Sequence, residues 1–184
     1  MDSSVRTKLD GLLDVHGRAV DEFFMRAAQV PGARWNTPRA DGKWTPAQEV
    51  KHLILAYEAF TQDLTGGEPM KLVGTPFKRW LWRLVGLTMV LRMNRLPKGA
   101  RAPREVRPPE GALDQEAMLA DFRARTTEFV SAFRETWGRT PERHVMHPYF
   151  GKLSLTDALQ MSTVHTRHHT AVLPPLGARQ QVGG

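Results

Sequence analysis

Two histidines near the end of the chain, His165 and His169, have types and spacing that suggest chemistry. On a helix, side chains four positions apart stand one above the other on the same face. At about 100° per residue that face also carries Ala158, Ser162 and Val172, so both rings should point into the protein. Two buried imidazoles need partners for their nitrogens, which a divalent metal ion or hydrogen bonds in the core can supply. The pair alone does not distinguish a metal site from a hydrogen-bonded pair of core histidines.

A metal site needs a third ligand, and His52 is the best candidate. It lies at the border of an apolar helix stripe, beside the small residues Ala56 and Ala59, which would leave room for an ion. Three neutral imidazoles leave at least one coordination position open, as in catalytic zinc sites. Such ligands suit Zn²⁺, Ni²⁺, Fe²⁺, Co²⁺ or Cu²⁺, of which we expect zinc or nickel. Taken by itself, His52 can equally be a boundary histidine that is half in water.

Two other residues, Glu49 and His147, each allow more than one role. Glu49 lies one turn before His52 and could orient its ring by accepting a hydrogen bond, although a carboxylate at such a position is more often solvated. His147 could be an extra ligand, an acid or base, or simply part of the tight loop before the last helix, and we favour the loop. His168 lies off the inward stripe. The sequence identifies no catalytic residue.

Amphipathic helices must position these side chains. The helix that carries His52 opens with Thr45 as its N-cap, Pro46 at the first helical position and Gln48 as the reciprocal partner of a capping box. The last helix, which carries the histidine pair, opens with Ser154 as N-cap and Asp157 at its third position.

Apolar stripes predict two further long helices, over residues 5–27 and 113–137, and a short one from residue 80 to about residue 93. His16 falls on the first stripe and is expected to be a packed core histidine. No segment alternates as a strand does. We therefore predict an all-α protein with one domain over residues 1–184, a four-helix bundle with an extra short helix between the second and third long helices.

Composition excludes several function classes. The 184 residues include no cysteine, so disulfides, thiolate metal sites and cysteine nucleophiles are absent. There is no G-x-S-x-G elbow, phosphate-binding glycine loop or paired-carboxylate motif. The start of the chain lacks the apolar core of a signal peptide, and no apolar run is long enough to span a membrane. We expect a cytoplasmic protein.

One segment is strongly basic. Ten of the 26 basic residues lie between Lys71 and Arg107, where Glu105 is the only acid, and we call residues 71–107 the basic region. With Trp80 and Trp82 it could approach nucleic acid or an anionic membrane surface. Because charge runs are usually solvated, we expect no nucleic-acid partner. None of its residues offers an uncharged metal ligand or a tuned acid–base pair, so we expect the basic region to be peripheral to the chemistry. Its apolar side chains are better explained by packing on the bundle or on a second subunit, so we expect a homodimer.

Three segments together carry a family resemblance: residues 42–53, residues 147–154 and the run His165-x-x-His168-His169. In order and spacing they resemble the DinB/YfiT-like superfamily of four-helix-bundle metalloenzymes, which is unrelated to the DNA polymerase that shares the DinB name. The resemblance implies an up-down-down-up bundle in which His52, His165 and His169 bind a divalent metal. A glutamine that often follows the last histidine by three residues is replaced here by Val172.

The resemblance also implies an activity. Characterised members of the superfamily include transferases and isomerases that use low-molecular-weight thiols such as bacillithiol or mycothiol. We therefore expect a metal-dependent enzyme that transfers a thiol sulfur onto an electrophilic small-molecule substrate. The alternative is a non-enzymatic bundle that acts in dimerisation or in binding an anionic partner.

Overall fold

Helices make up most of the chain. The computed structural model describes residues 3–96 and 102–176. The long helices are α1 (Ser3–Ala28), α3 (Pro46–Leu64), α6 (Gln115–Arg139) and α7 (Leu155–Thr170), and the short ones are α2 (Gly32–Trp35), α4 (Pro76–Leu81) and α5 (Thr88–Met93). A π-helical turn (Trp82–Leu87) joins α4 to α5, and a 3₁₀ turn (Arg104–Val106) precedes α6.

The cap residues start the two histidine-bearing helices where the sequence predicts. The Thr45 hydroxyl accepts a hydrogen bond from the Gln48 N–H at 3.1 Å, and the Gln48 side chain accepts one from the Thr45 N–H at 3.0 Å. The Ser154 hydroxyl accepts from the Asp157 N–H at 3.1 Å. These bonds satisfy backbone N–H groups that the first turn of a helix leaves without partners, and so they fix the helix register.

The core lies between the long helices. Helix α3 packs against α6 and α1 packs against α7, with further contacts of α1 with α6 and of α3 with α7. Its largest fully buried side chains include Trp35, Phe23, Phe122, Phe129 and Phe133. His16 is fully buried and bonds the Thr163 hydroxyl at 3.1 Å through Nδ1, as expected of a core histidine.

The structure corrects the expectation that the chain has no strands. Strands β1 (His144–His147) and β2 (Gly151–Ser154) form an antiparallel hairpin immediately before α7, with His147 opposite Gly151. Four-residue strands are too short to display a clear alternation. Gly151 has a φ of 69°, which glycine adopts at little cost.

Two boundaries also differ from those predicted. Trp35 lies in the one-turn helix α2 rather than in a polar loop, and it is buried with its indole N–H bonded to the Leu113 carbonyl at 2.8 Å. The short helix begins at Pro76 rather than at residue 80, because the Thr75 hydroxyl caps it.

The rod formed by residues 76–93 is unusually apolar on its outer side. Of the twelve exposed large hydrophobic side chains among the described residues, ten lie between Leu72 and Met93. No helix within the described ranges is long and apolar enough to cross a membrane. Pro97 and Arg101 of the basic region lie outside the described residues.

Candidate metal centre

Helices α3 and α7 bring three imidazoles together inside the protein. The Nε2 atom of His165 lies 2.9 Å from Nε2 of His52 and 3.0 Å from Nε2 of His169. Each of the three residues offers a ligand atom within 4.8 Å of the others, and together they could hold a metal ion. His52 and His169 are buried.

Two of the rings are held by hydrogen bonds on the side away from the cluster. The Nδ1–H of His52 donates to the Val106 carbonyl at 2.6 Å, since a carbonyl oxygen can only accept. The Nδ1 of His169 lies 2.6 Å from Oε2 of Glu49. With Nδ1 as the donor, each of these rings turns the lone pair of Nε2 towards the cluster.

The donor set fits a divalent cation. Burial lowers the pKa of His52, and burial first and neighbouring histidines second lower those of His165 and His169 well below the usual range, so the rings are neutral near pH 7. Lone pairs of neutral imidazoles about 3 Å apart repel one another unless a proton or a cation lies between them. His165 can supply only one Nε2 proton, whereas a metal ion satisfies all three nitrogens.

Glu49 is hydrogen-bonded to the cluster, but through His169 and not through His52, the ring that the sequence suggested. The residue is only 5% exposed, which contradicts the expectation of a solvated side chain, and its carboxyl contacts His169 rather than His52. Burial raises the pKa of Glu49 to about 7, against the opposing effect of Arg39 and the histidines. Because His169 is neutral, the contact is a hydrogen bond from N–H to the carboxyl group rather than an ion pair.

The basic region is not peripheral, contrary to the prediction. The carbonyl that orients His52 belongs to Val106, and the side chains of Trp82 and Leu96 border the space beside the cluster. The basic region contributes a main-chain carbonyl and apolar side chains to the site. Neither can be recognised from the charged or metal-ligating residue types of a sequence.

A cavity of about 450 Å³ adjoins the three histidines. Its walls are mostly aromatic and aliphatic, and the aromatic ones include Trp44, Phe60, Trp82, Tyr149 and Phe150. The indole of Trp44 lies nearly parallel to the His169 ring, with centroids 6.3 Å apart. Gly86 lets the rod of residues 76–93 approach closely, since a Cβ atom there would lie 3.3 Å from the rings of Phe150 and Trp82.

A second cavity, of about 480 Å³, shares Trp44 and His169 with the first. Its lining includes the basic residues Arg39, Lys43 and Arg107, and its only acid among the described lining residues is Glu49. The cluster therefore borders an apolar space and, through His169, a basic one.

Comparison with known proteins identifies the family. The family model of the DinB superfamily matches residues 17–173, which include all three clustered histidines. The chain belongs to the DinB superfamily. Neither a curated protein nor a solved structure matches it.

Sequence reasoning missed some residues at the site of this DinB superfamily protein. Trp44 is half-buried and lines both cavities, as does His168. His168 is outside the group of three that converge. Its place next to His169 could have indicated this, because a residue adjacent in sequence to a buried ligand can still border a cavity. Val172 lines the basic cavity.

Proposed function

We propose that this protein is a metal-dependent enzyme whose ion is held by His52, His165 and His169. The observation that carries the proposal is the convergence of three Nε2 atoms, two of which belong to rings already anchored through Nδ1. Zinc and nickel are the ions we propose first, because both accept imidazole ligands.

The proposed reaction is the transfer of a low-molecular-weight thiol onto an electrophilic substrate. A divalent ion at the three histidines would hold the thiol as its thiolate. The chain's own residues have separate roles: Val106 and Glu49 keep the imidazoles oriented, and the apolar cavity excludes water from the electrophile. The basic cavity suits a thiol that carries negative charge. Membership of the DinB superfamily supports this class of reaction.

Steady-state assays of metal-loaded protein test the activity. Bacillithiol, mycothiol, glutathione and coenzyme A would each be offered with a panel of electrophilic acceptors. We expect turnover with at least one thiol, loss of turnover in His165→Ala, and retention in His144→Ala, whose side chain is exposed on β1 and lines neither cavity. Absence of turnover with every thiol in fully loaded protein would contradict the transferase proposal.

The architecture and the assembly are proposals of the same kind. We propose a single-domain, up-down-down-up four-helix bundle that acts in the cytoplasm, where thiols stay reduced. We also propose that it is a homodimer, because the exposed apolar side chains of residues 72–93 would lose contact with water in an interface.

The exposed apolar side chains of residues 72–93 also favour a second candidate function, that of a non-enzymatic binding protein. A non-enzymatic bundle would use the apolar rod of residues 76–93, with its neighbouring basic side chains, to bind a second copy or an anionic partner. Metal content distinguishes the two candidates, because such a bundle has no need of a metal ion at the histidines.

A further inference from the structure

His147 occupies a defined position that neither the metal cluster nor the loop alone explains. It ends β1, and its ring lies against the ring of Phe150 with centroids 4.7 Å apart. It is not one of the three converging histidines, but it lines the same apolar cavity as they do.

The hairpin fixes which nitrogen of His147 carries the proton. The backbone N–H groups of Tyr149 and Phe150 both point at Nδ1, each at 3.3 Å. A nitrogen that accepts two N–H donors must present its lone pair, so Nδ1 is unprotonated. Burial also keeps the ring neutral by lowering its pKa to about 3. The single ring proton is therefore on Nε2.

The Nε2–H of His147 is a donor available to a ligand. No described residue accepts a hydrogen bond from it, and Nε2 is not among the described buried atoms that are sealed from solvent without a partner. The ring lines the cavity, so the N–H has access to that space.

The other residues that line the cavity indicate the charge and polarity of such a ligand. No Asp, Glu, Lys or Arg side chain lines it within the part of the chain that the structure describes, and most of its lining is aromatic or aliphatic. An apolar body fits these walls, because apart from the three histidines of the cluster no described lining side chain offers a counter-charge to a charged ligand.

We propose that the cavity binds an uncharged, largely apolar ligand with an acceptor oxygen, such as an aromatic ketone, and that Nε2–H of His147 donates a hydrogen bond to that oxygen. The inference rests on the proposed function in taking this cavity as the site of the electrophilic substrate. Direct contact with the ligand makes His147 a specificity-determining residue.

A matched pair of probes tests the donor. Propiophenone and propylbenzene share a carbon skeleton and differ in the carbonyl, and isothermal titration calorimetry would measure the affinity of each probe. We expect the zinc-loaded protein to bind the ketone roughly 3- to 10-fold more tightly than the hydrocarbon, the range for one net hydrogen bond. Failure of the ketone to bind, or equal affinity for both probes, would overturn the proposal.

Two substitutions separate the loop role of His147 from its donor role. In His147→Asn the amide oxygen can take the place of Nδ1 and accept from the loop, but nothing reaches the position of Nε2. In His147→Gln the longer side chain can place an N–H near that position. We expect Asn to abolish the ketone preference and Gln to keep part of it. An Asn variant that retains the full preference would contradict the assignment.

Two further measurements on the wild-type protein test the donor role of His147 without a bound metal ion and without a substitution that could unfold the chain. Repeating the titrations on metal-free wild type should leave the ketone preference in place, whereas failure of the protein to bind metal would count against the proposed function only. Nitrogen-15 NMR of the histidine rings should show the Nε2-protonated tautomer of His147, with its N–H signal shifted by propiophenone and not by propylbenzene. A ring protonated on Nδ1 would refute the proposal in the wild-type protein.

Discussion

The three imidazoles of the cluster are not held equally. His52 and His169 each have an Nδ1 partner, the Val106 carbonyl and the Glu49 carboxyl, whereas Nε2 of His165 lies between the other two rings. The first two rings are therefore oriented before any ion arrives. This arrangement lowers the entropy lost when a metal binds, and it makes the partners of Nδ1 important for affinity.

Glu49 should strengthen metal binding through His169. Replacing it by Gln keeps the shape but removes the charge that makes the imidazole a better ligand, and we expect metal affinity to fall by about 10-fold or more. A competition titration with a chromophoric chelator measures the change. Glu58→Gln is the matched control, because Glu58 is also on α3 but pairs with Arg125 at the surface. Equal affinities of Glu49→Gln and wild type would contradict this role.

His16 should make stability depend on pH. Burial lowers its pKa from 6.5 to about 4, so as pH falls the unfolded chain takes up the proton first. The free energy of unfolding should therefore decrease between about pH 6.5 and pH 4, by up to roughly 3 kcal/mol from this residue. Urea unfolding of metal-free protein across that range measures it. In His16→Asn the decrease should be smaller; an identical pH dependence would exclude His16 as a cause.

Side-chain spacing predicted which histidines come together but not what holds them. The four-residue interval of His165 and His169, and the position of His52 at the edge of a stripe, follow from helix geometry. The contact of Glu49 with His169 depends on how α3 and α7 are rotated against each other. The Val106 bond uses a main-chain carbonyl, which any residue type could supply.

At the scale of elements, the N-cap of α3 sets the register that brings His52 to the cluster. Thr45→Ala removes the hydroxyl that accepts from the Gln48 N–H and should lower the free energy of unfolding by about 1 kcal/mol. Chemical denaturation measures the loss. Thr75→Ala is the control: Thr75 caps α4, whose residues are largely exposed, so the loss there should be smaller. Equal losses would contradict a special role for the α3 cap.

The elements that the sequence did not predict are those with little local signal. The α3 capping box and the stripes of the long helices are strong local patterns, and the structure has these helices within a few residues of the predictions. Strands β1 and β2 are defined mainly by pairing with each other, and helix α2 by burial of Trp35 against the rest of the protein. Such features depend on tertiary contacts, which periodicity does not report.

At the scale of the whole molecule, the exposed apolar side chains of residues 72–93 should control assembly. Phe77 is 70% exposed and Leu84 59% exposed, and both belong to the apolar rod. If wild type is a dimer through this surface, Phe77→Ser with Leu84→Ser should raise the dimer Kd by at least roughly 100-fold, because each buried apolar side chain contributes about 1.5–3 kcal/mol.

Light scattering coupled to size-exclusion chromatography measures this assembly. Met25→Ser is the control, since Met25 is exposed on α1, away from the rod. It should leave the dimer intact, and the double variant should keep its metal. A monomeric wild type would contradict the dimer. Co-sedimentation of that monomer with vesicles of anionic lipid would then favour the alternative of an anionic partner.

Elemental analysis of untagged, metal-loaded protein tests the central claim most directly. We expect about one divalent ion per chain in wild type and in His168→Ala, and none in His165→Ala, because His165 is the ring that contacts both others. Circular dichroism would verify that both variants are folded. A wild type that retains no metal after loading, or a folded His165→Ala variant that retains as much as wild type, would contradict the proposed metal centre.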